Sequence, residues 1–226
     1  MKSREVEISE NLAVVEERIA SALQQSNRRR EEITLIAVTK FFPKSDLEIL
    51  YGLGQRNFGE NRDQEGSAKA SELPSDIVWH FQGQLQSKKI SSIIDWARVI
   101  HSLDSLDHAR KFNQRLMELG ESREFFLQVN LEPDRTDRGG LALEKIEDFL
   151  NSVGELSHLE VIGLMSVPPL GLPPRKAFDD VASIAGKVGL GSLSLGMSND
   201  FEDAILAGAT HIRVGSSILG SRPTPA

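Results

Sequence analysis

The amino-acid sequence predicts an α/β fold, a single (β/α)8 TIM barrel, and three observations support this prediction. Eight short apolar segments alternate with amphipathic segments along 226 residues, and such alternation is typical of a parallel sheet with right-handed crossovers. The length falls within the range of one barrel. No GxGxxG motif, the mark of a dinucleotide-binding open sheet, follows the first predicted strand. An open doubly wound sheet is the alternative.

An amphipathic helix is predicted over residues 1–30, before the barrel begins. Ser9 is its candidate N-cap. Its apolar residues recur at helical spacing, at Leu12, Val15, Ile19 and Leu23. We expect one domain over 1–226, with the barrel at 33–220 and a tail at 221–226.

The eight predicted strands are short, and the first is the clearest. Residues 33–40 (ITLIAVTK) form a continuous apolar run, which suits a strand covered on both faces. The other strands are predicted at 56–60, 76–83, 97–103, 123–131, 159–167, 192–198 and 210–220. Helices are predicted between them at 43–54, 61–73, 85–95, 104–120, 141–153, 175–188 and 199–208.

The composition excludes several classes of function. Lysine and arginine number 26 against 33 acidic residues, a net charge of −7, which argues against nucleic acid as a partner. The one basic run, 28–30, is followed by two glutamates and is interpreted as a solvated helix end. The chain has no cysteine, and no segment resembles a signal peptide or a membrane span. We therefore expect a cytoplasmic protein without membrane contact.

Polar residues gather at the predicted carboxyl ends of the strands, where β/α barrels carry their chemistry. Lys40 ends an apolar strand, and alternation places it on the same face as Ile36 and Val38. A partly desolvated lysine there is suited to attack an aldehyde. The alternative is a lysine that extends from the strand end into solvent.

Two turns near the end of the chain have features of phosphate sites. In LGMSND, Ser198 or Asn199 is predicted to cap a helix, with Glu202 completing a capping box from Asn199. In RVGSSILG, Gly215 permits close backbone approach and Ser216 offers a hydroxyl. Barrels often bind phosphate between the loops after the seventh and eighth strands. Two ordinary capped helices are the alternative.

Three further side chains are predicted to point into the barrel or its core. Arg213 shares a strand face with His211, and a buried arginine needs either an ion-pair partner or a ligand to face. His80 lies between Trp79 and Phe81 and is interpreted as a core histidine. The histidine spacing matches no metal motif, so no metal site is predicted.

With these residues placed, the chain resembles the YggS/PROSC family of pyridoxal phosphate homeostasis proteins from the first helix to about Gly220. The resemblance rests on the order and spacing of eight motifs. These are AVTK (37–40), FGEN (58–61), WHFQGQLQSKK (79–89), SLDS (102–105), QVN (128–130), GLM (163–165), LGMSNDFEDAI (195–205) and GATHIRVGSSILG (208–220).

The resemblance implies a fold-type III barrel like the N-terminal domain of alanine racemase, without a C-terminal β domain. It implies pyridoxal 5′-phosphate (PLP) as a Schiff base on Lys40, with Arg213 beside the pyridine nitrogen. It places the phosphate on Ser198 and the Gly215–Ser216 turn. Further lining residues are Asn61, His80, Met165, Ser166 and Met197.

The chain departs from the family pattern at three places. Gln82 stands where isoleucine is usual, and Lys88 stands in an asparagine position. Residues 137–140 (DRGG) replace a Lys-Ser-Gly-like segment. None of these departures touches Lys40 or the two predicted phosphate turns.

The resemblance favours a monomeric carrier that holds PLP and delivers it to apo PLP-dependent enzymes, without robust turnover. An amino-acid racemase is the alternative, but racemising relatives take a second base, a tyrosine, from a further domain. The sole tyrosine here, Tyr51, lies in the first barrel helix. An aldolase that uses Lys40 without a cofactor is a third possibility, and it leaves Arg213 and the two turns unexplained.

Overall fold

Eight parallel strands close into one barrel in the computed structural model, which describes residues 2–132, 139–169, 171 and 173–221. The strands are β1 (Thr34–Val38), β2 (Asn57–Glu60), β3 (Val78–Phe81), β4 (Val99–Leu103), β5 (Arg123–Val129), β6 (Leu159–Ser166), β7 (Ser192–Ser194) and β8 (His211–Val214). Strand β8 pairs with β1 in parallel, with Arg213 opposite Ile36. The predicted barrel is confirmed, and the open sheet is wrong because this pairing leaves no edge strand.

The helices form an outer layer around the strands. They are α1 (Arg4–Gln25), α2 (Lys44–Gly52), α3 (Asp63–Glu72), α4 (Ile90–Trp96), α5 (Leu106–Leu119), α6 (Ile146–Val153), α7 (Pro174–Lys187), α8 (Phe201–Leu206) and α9 (Ser216–Leu219). Among the described residues no helix combines the length and apolarity that a bilayer span requires. Of the predicted tail, 222–226 lie outside the described residues, as do 137 and 138 of the DRGG segment.

The first helix begins earlier than its sequence pattern suggested. Ser3 is the N-cap, and its side chain accepts a hydrogen bond from the Val6 amide at 3.3 Å. The prediction of Ser9 is wrong because Ser3 caps the helix and the acidic Glu5 and Glu7 then occupy its first turn, where the helix dipole favours negative charge. The helix also ends before residue 30, since Asn27 adopts a left-handed backbone with φ of 52°.

Helix α1 completes the outer layer next to the short α9. It packs against α2, α8 and α9, and Val15, Ile19 and Leu23 are buried there. Arg4 donates to the carbonyl oxygen of Leu219 at 2.8 Å. Asn11 donates to that of Ile218 at 3.0 Å. The first helix therefore fastens the last one.

The interpretation of the basic run at 28–30 as a solvated helix end is wrong for Arg28 and Arg30, whereas Arg29 is exposed. Arg28 donates to the carbonyl oxygens of Ile205 and Ala209, at 3.1 and 2.8 Å. Arg30 forms a bidentate pair with Glu16. These contacts tie the segment between α1 and β1 to α8 and α1, and free carbonyls at a helix end are the natural acceptors for such cations.

Two apolar clusters stabilise the barrel. The large cluster lies between the helices and the outward face of the strands. The small one comprises Val99, Phe126 and Met165. Phe126 stacks on His101 of β4 and also meets His211 of β8 edge to face. Rings from non-adjacent strands can touch only inside the barrel, so the interior is polar as well as apolar.

We expect Gly163→Ala to destabilise the barrel, because strand β7 leaves no room for a side chain at this position. A Cβ atom there would lie 2.0 Å from the carbonyl oxygen of Ser192, and the backbone shift this forces costs about 1–3 kcal/mol. Gly186→Ala is the matched control. It lies in α7 with no atom within 4 Å of the added Cβ, so it should raise stability by about 0.5–1 kcal/mol. Urea unfolding measures both, and an unchanged midpoint for Gly163→Ala would contradict the close-approach argument.

Candidate functional site

A cavity of about 640 Å³ opens at the carboxyl ends of the strands, within the size range of small-molecule sites. Eight of the predicted site residues line it, namely Lys40, Asn61, Met165, Met197, Ser198, Arg213, Gly215 and Ser216. Ser166 and His80 are buried and are not among its lining residues. The structure therefore brings most of the predicted site together around one volume.

Lys40 lies in the turn directly after β1 and is half-buried. It lines the cavity with Val38, as strand alternation predicted, while Thr39 between them points outward and is fully buried. The next residue, Phe41, has a φ of 72°, a left-handed conformation that costs a non-glycine residue about 1–3 kcal/mol. The turn that presents Lys40 is therefore strained.

The two predicted phosphate turns meet each other at the cavity wall. The Ser198 hydroxyl accepts hydrogen bonds from the amides of Gly215 and Ser217, both at 3.3 Å. Gly215 also packs closely on β1, since a Cβ atom there would lie 3.1 Å from the Val38 carbonyl oxygen. The two backbone donors converge on the Ser198 hydroxyl at the cavity wall, and a convergent group of N–H donors suits an anion.

The predicted capping box after β7 is wrong. Helix α8 begins at Phe201, and its N-cap is Asp200. The Asp200 carboxylate accepts the Met197 amide, which holds the turn in place of Asn199. Glu202 instead faces helix α1, where it forms a bidentate pair with Arg18, so tertiary packing has taken the side chain away from the local motif.

Arg213 is buried, with 6% of its surface exposed. Its guanidinium donates to the Ser194 carbonyl and hydroxyl, the latter at 2.7 Å, and to the Ser166 carbonyl at 3.0 Å. Burial lowers the pKa of Arg213 to about 10, which nearby Asp200 partly opposes. Arg213 thus stays cationic at neutral pH. Its hydrogen bonds go to neutral oxygens rather than to a carboxylate, so of the two predicted roles the structure favours a cation that faces the cavity.

A chain of hydrogen bonds runs from Arg213 through the barrel interior. Ser194 bonds to His101 Nδ1 at 2.8 Å, and His101 Nε2 bonds to His80 Nδ1 at 2.9 Å. The chain ends at Asn57 Oδ1, 3.0 Å from His80 Nε2. Sequence reasoning identified His80 as a core histidine but missed Ser194. The available signal was the period-two placement of polar residues in SLSLG.

The histidines inside the barrel are neutral. Burial lowers the pKa of His80 to about 3, and the nearby His211 ring adds to the effect. Burial lowers the pKa of His211 to about 4, and the Arg213 cation adds to that effect. Burial also brings the pKa of His101 well below its usual range. The three neutral rings therefore add no positive charge to that of Arg213 inside the barrel.

Two amide side chains on the cavity wall contain buried polar atoms that are not satisfied by the described residues. They are Asn61 Oδ1 and Gln82 Nε2, and both residues line the cavity. Asn61 donates from its other amide atom to the Gln82 carbonyl at 3.2 Å. Buried polar atoms normally find partners, so a polar ligand in the cavity fits this wall.

Comparison with known proteins places this site in context. Residues 14–223 match the family model described as alanine racemase, N-terminal domain. A pyridoxal phosphate homeostasis protein of Corynebacterium glutamicum is 40% identical over 220 residues, covering 91% of this chain and 98% of that protein. A protein of the same name from Mycobacterium leprae is 38% identical over 242 residues, covering 96% and 93%.

A solved structure of PipY from Synechococcus elongatus PCC7942, with PLP bound, superposes with a TM-score of 0.79 at 36% identity. The alignment covers 90% of this chain and 99% of PipY. The likeness therefore extends over almost the whole of both chains.

We expect acid to destabilise the fold through the interior histidines. The unfolded chain binds a proton at each histidine near pH 6.5, whereas folded His80 does not until about pH 3. The contribution of the neutral His80 ring to folding stability is therefore complete above pH 6.5 and is lost as the pH falls towards 3. Between pH 7 and pH 5 the free energy of unfolding of the wild-type protein should fall by about 2 kcal/mol more than that of His80→Gln. Urea unfolding at the two pH values measures this.

The control for that experiment is His158→Gln. His158 is half-buried in the turn before β6 and bonds to the Glu121 carbonyl at 2.8 Å, outside the barrel. This variant reports the effect of a histidine-to-glutamine substitution away from the buried hydrogen-bonded chain. Equal pH dependence in wild type and His80→Gln would show that the buried ring does not resist protonation.

Proposed function

The chain belongs to the alanine racemase N-terminal domain family and, within it, to the pyridoxal phosphate homeostasis proteins, and on this premise we propose that it binds PLP and serves PLP homeostasis. Lys40 is the proposed covalent attachment point, through a Schiff base. One observation carries the proposal: a lysine, a group of backbone donors and a buried arginine line one cavity of suitable size.

The residues of the cavity fit each part of PLP. When bound, PLP supplies an aldehyde that a lysine amine captures and a conjugated ring that absorbs visible light. Lys40 would hold the aldehyde carbon. Ser198 and the Gly215–Ser216 turn would hold the phosphate, with the helix-start amides as donors. Asn61 would offer its unsatisfied oxygen to a polar group of the ligand.

Arg213 would face the pyridine nitrogen and restrain catalysis. A cation beside this nitrogen keeps it unprotonated, which makes the ring a weaker electron sink for carbanions. The neutral histidine chain behind Ser194 supplies no proton to change this. The arrangement therefore favours holding PLP over using it.

The position of the single tyrosine argues against a racemase. Tyr51 lies near the end of α2, where its hydroxyl bonds to Asp76 at 2.9 Å and its ring stacks under Arg56 at 3.8 Å. Arg56 and Asp76 precede β2 and β3, so Tyr51 lies at the end of the barrel opposite Lys40. Within this chain it cannot act as a second base. We propose in addition that the protein carries PLP in the cytoplasm as a monomer and delivers it to apo PLP-dependent enzymes.

Lys40→Ala should abolish the visible absorbance of protein loaded with PLP, because the amine that captures the aldehyde is gone. Borohydride reduction followed by peptide mapping should label the AVTK peptide in the wild type. Lys44→Ala is the matched control, since Lys44 is an exposed lysine four residues further along that pairs with Glu48 and Glu72. Its absorbance should equal that of the wild type. Wild-type protein that gives no adduct on the AVTK peptide with excess PLP would refute the proposed attachment.

Two assays on wild-type protein loaded with PLP distinguish a PLP carrier from a racemase. We expect PLP transfer to an apo PLP-dependent enzyme, followed by the recovery of that enzyme's activity. We expect no exchange of the α-proton of amino acids in deuterated water, since Tyr51, the residue type that serves racemases as a second base, lies at the opposite end of the barrel. Rapid α-proton exchange would contradict the carrier and support the racemase.

A further inference from the structure

A second lysine lies beneath the turn that presents Lys40. Lys69 of α3 donates from Nζ to the Thr39 carbonyl oxygen at 2.8 Å. The same nitrogen donates to Glu60 Oε1 at 2.6 Å and to Glu65 Oε1 at 2.8 Å. We call Lys69, Glu60 and Glu65 the Lys69 cluster.

The Lys69 cluster holds the backbone on both sides of Lys40. On the N-terminal side, Lys69 binds the Thr39 carbonyl, and Glu60 Oε1 accepts the Thr39 hydroxyl at 2.7 Å. On the C-terminal side, Glu65 Oε1 accepts the Phe41 amide at 2.7 Å. Phe41 is the residue with the left-handed backbone. A strained backbone conformation persists only where the surrounding structure holds it in place. These hydrogen bonds hold the backbone at Thr39 and Phe41.

The burial of the Lys69 cluster shows that it is more than a surface ion pair. Glu60 is 0% exposed and Lys69 is 8% exposed. Burial raises the pKa of Glu60 against the opposing effect of Lys69, and Glu60 Oε2 is buried without a partner among the described residues. Buried ion pairs of this kind are often no more stabilising than apolar residues of similar volume. Stability alone therefore does not account for its presence.

We propose that Lys69, Glu60 and Glu65 are positioning residues that hold the Lys40 turn so that the lysine amine points into the cavity, ready to capture an aldehyde. This inference deepens the proposed function and rests on it. Within the described part of the chain, the side-chain hydrogen bonds of the cluster go to Thr39, to Phe41 and to one another, and Thr39 and the Glu60 side chain face the helices rather than the barrel interior. The Lys69 cluster should therefore affect the rate at which Lys40 captures any aldehyde, with or without a phosphate.

Asp63 of helix α3 provides a matched control, because it contacts α4 and the residue before that helix rather than the Lys40 turn. Asp63 accepts hydrogen bonds from Ser92 at 2.8 Å and Trp96 at 3.1 Å, and pairs with Lys89 at 3.1 Å. It is as buried as Lys69, with 8% exposed. It holds α3 to α4 and does not contact the Lys40 turn, so Asp63→Ala reports the cost of loosening α3 alone.

The test compares Glu65→Ala, Glu65→Gln and Asp63→Ala with the wild-type chain. The rate of borohydride-trapped adduct on the AVTK peptide is measured by mass spectrometry, with PLP and with pyridoxal, which has no phosphate. Glu65→Ala should slow both reactions by about tenfold, the order of one hydrogen bond to a charged group. Glu65→Gln keeps an acceptor for the Phe41 amide and should recover most of the rate. Asp63→Ala should lower the melting temperature but leave both rates unchanged.

Two results would overturn the positioning role while the proposed function stands. One is a wild-type rate for both aldehydes in Glu65→Ala. The other is slowing with PLP alone, which would assign the effect to the phosphate turns. A wild-type chain without any Lys40 adduct would instead overturn the proposed function, and the positioning role with it.

Hydrogen exchange in the wild-type protein gives a measurement that needs no variant. Phe41 is exposed on its side chain, yet its amide is bonded to Glu65. That amide should exchange far more slowly than that of Gly54, whose amide bonds only to the Tyr51 carbonyl in a surface turn. Equal exchange at the two amides would show that Glu65 does not hold the turn.

Discussion

The parallel pairing of β1 with β8 is the contact on which the site depends. It closes the barrel and sets Arg213 opposite Ile36, so that the first strand of the barrel and the last deliver Lys40, Arg213 and Gly215 to one rim. Neither strand forms the cavity by itself, because the lining residues come from the ends of both. Strand β7 pairs in parallel with β8, and because parallel strands place their carboxyl ends together, the turn after β7 lies beside the turn after β8, where Ser198 accepts the Gly215 amide.

The interior of this barrel contains polar and charged side chains where apolar ones are usual, and these side chains define the electrostatic environment next to the cavity. A barrel of this size usually fills its interior with branched apolar side chains. Here a hydrogen-bonded chain runs from Asn57 to Arg213 through the interior, and Phe126 of the small apolar cluster stacks on His101 of that chain. Such a network is tolerable because its members satisfy each other. Its neutral histidines leave the Arg213 cation next to the cavity, where it suits a ligand ring that presents a hydrogen-bond acceptor.

The elements outside the barrel support the site through backbone atoms. Helix α1 donates to carbonyl oxygens of α9, and Arg18 donates to the Ser198 carbonyl at 3.3 Å. Helix α3 binds the carbonyl and amide that flank Lys40. Both helices act on the turns that carry functional groups, one on each side of the β1–β8 seam. The shape of the cavity is therefore maintained by helices that contribute little to its lining.

The sequence by itself determined the barrel, the inward face of Lys40 and eight of the residues that line the cavity, because periodicity and strand ends are local properties of the chain. It misjudged Ser9, Glu202 and the basic run at 28–30, where several local roles are open to one side chain. Glu202 is close enough to Asn199 for a capping box, but Arg18 of a distant helix binds it instead. Only the tertiary structure decided such partners, along with the Ser194–His101–His80 chain and the hold of Lys69 on the Lys40 turn. These depend on distances between residues far apart in the sequence, which no local pattern encodes.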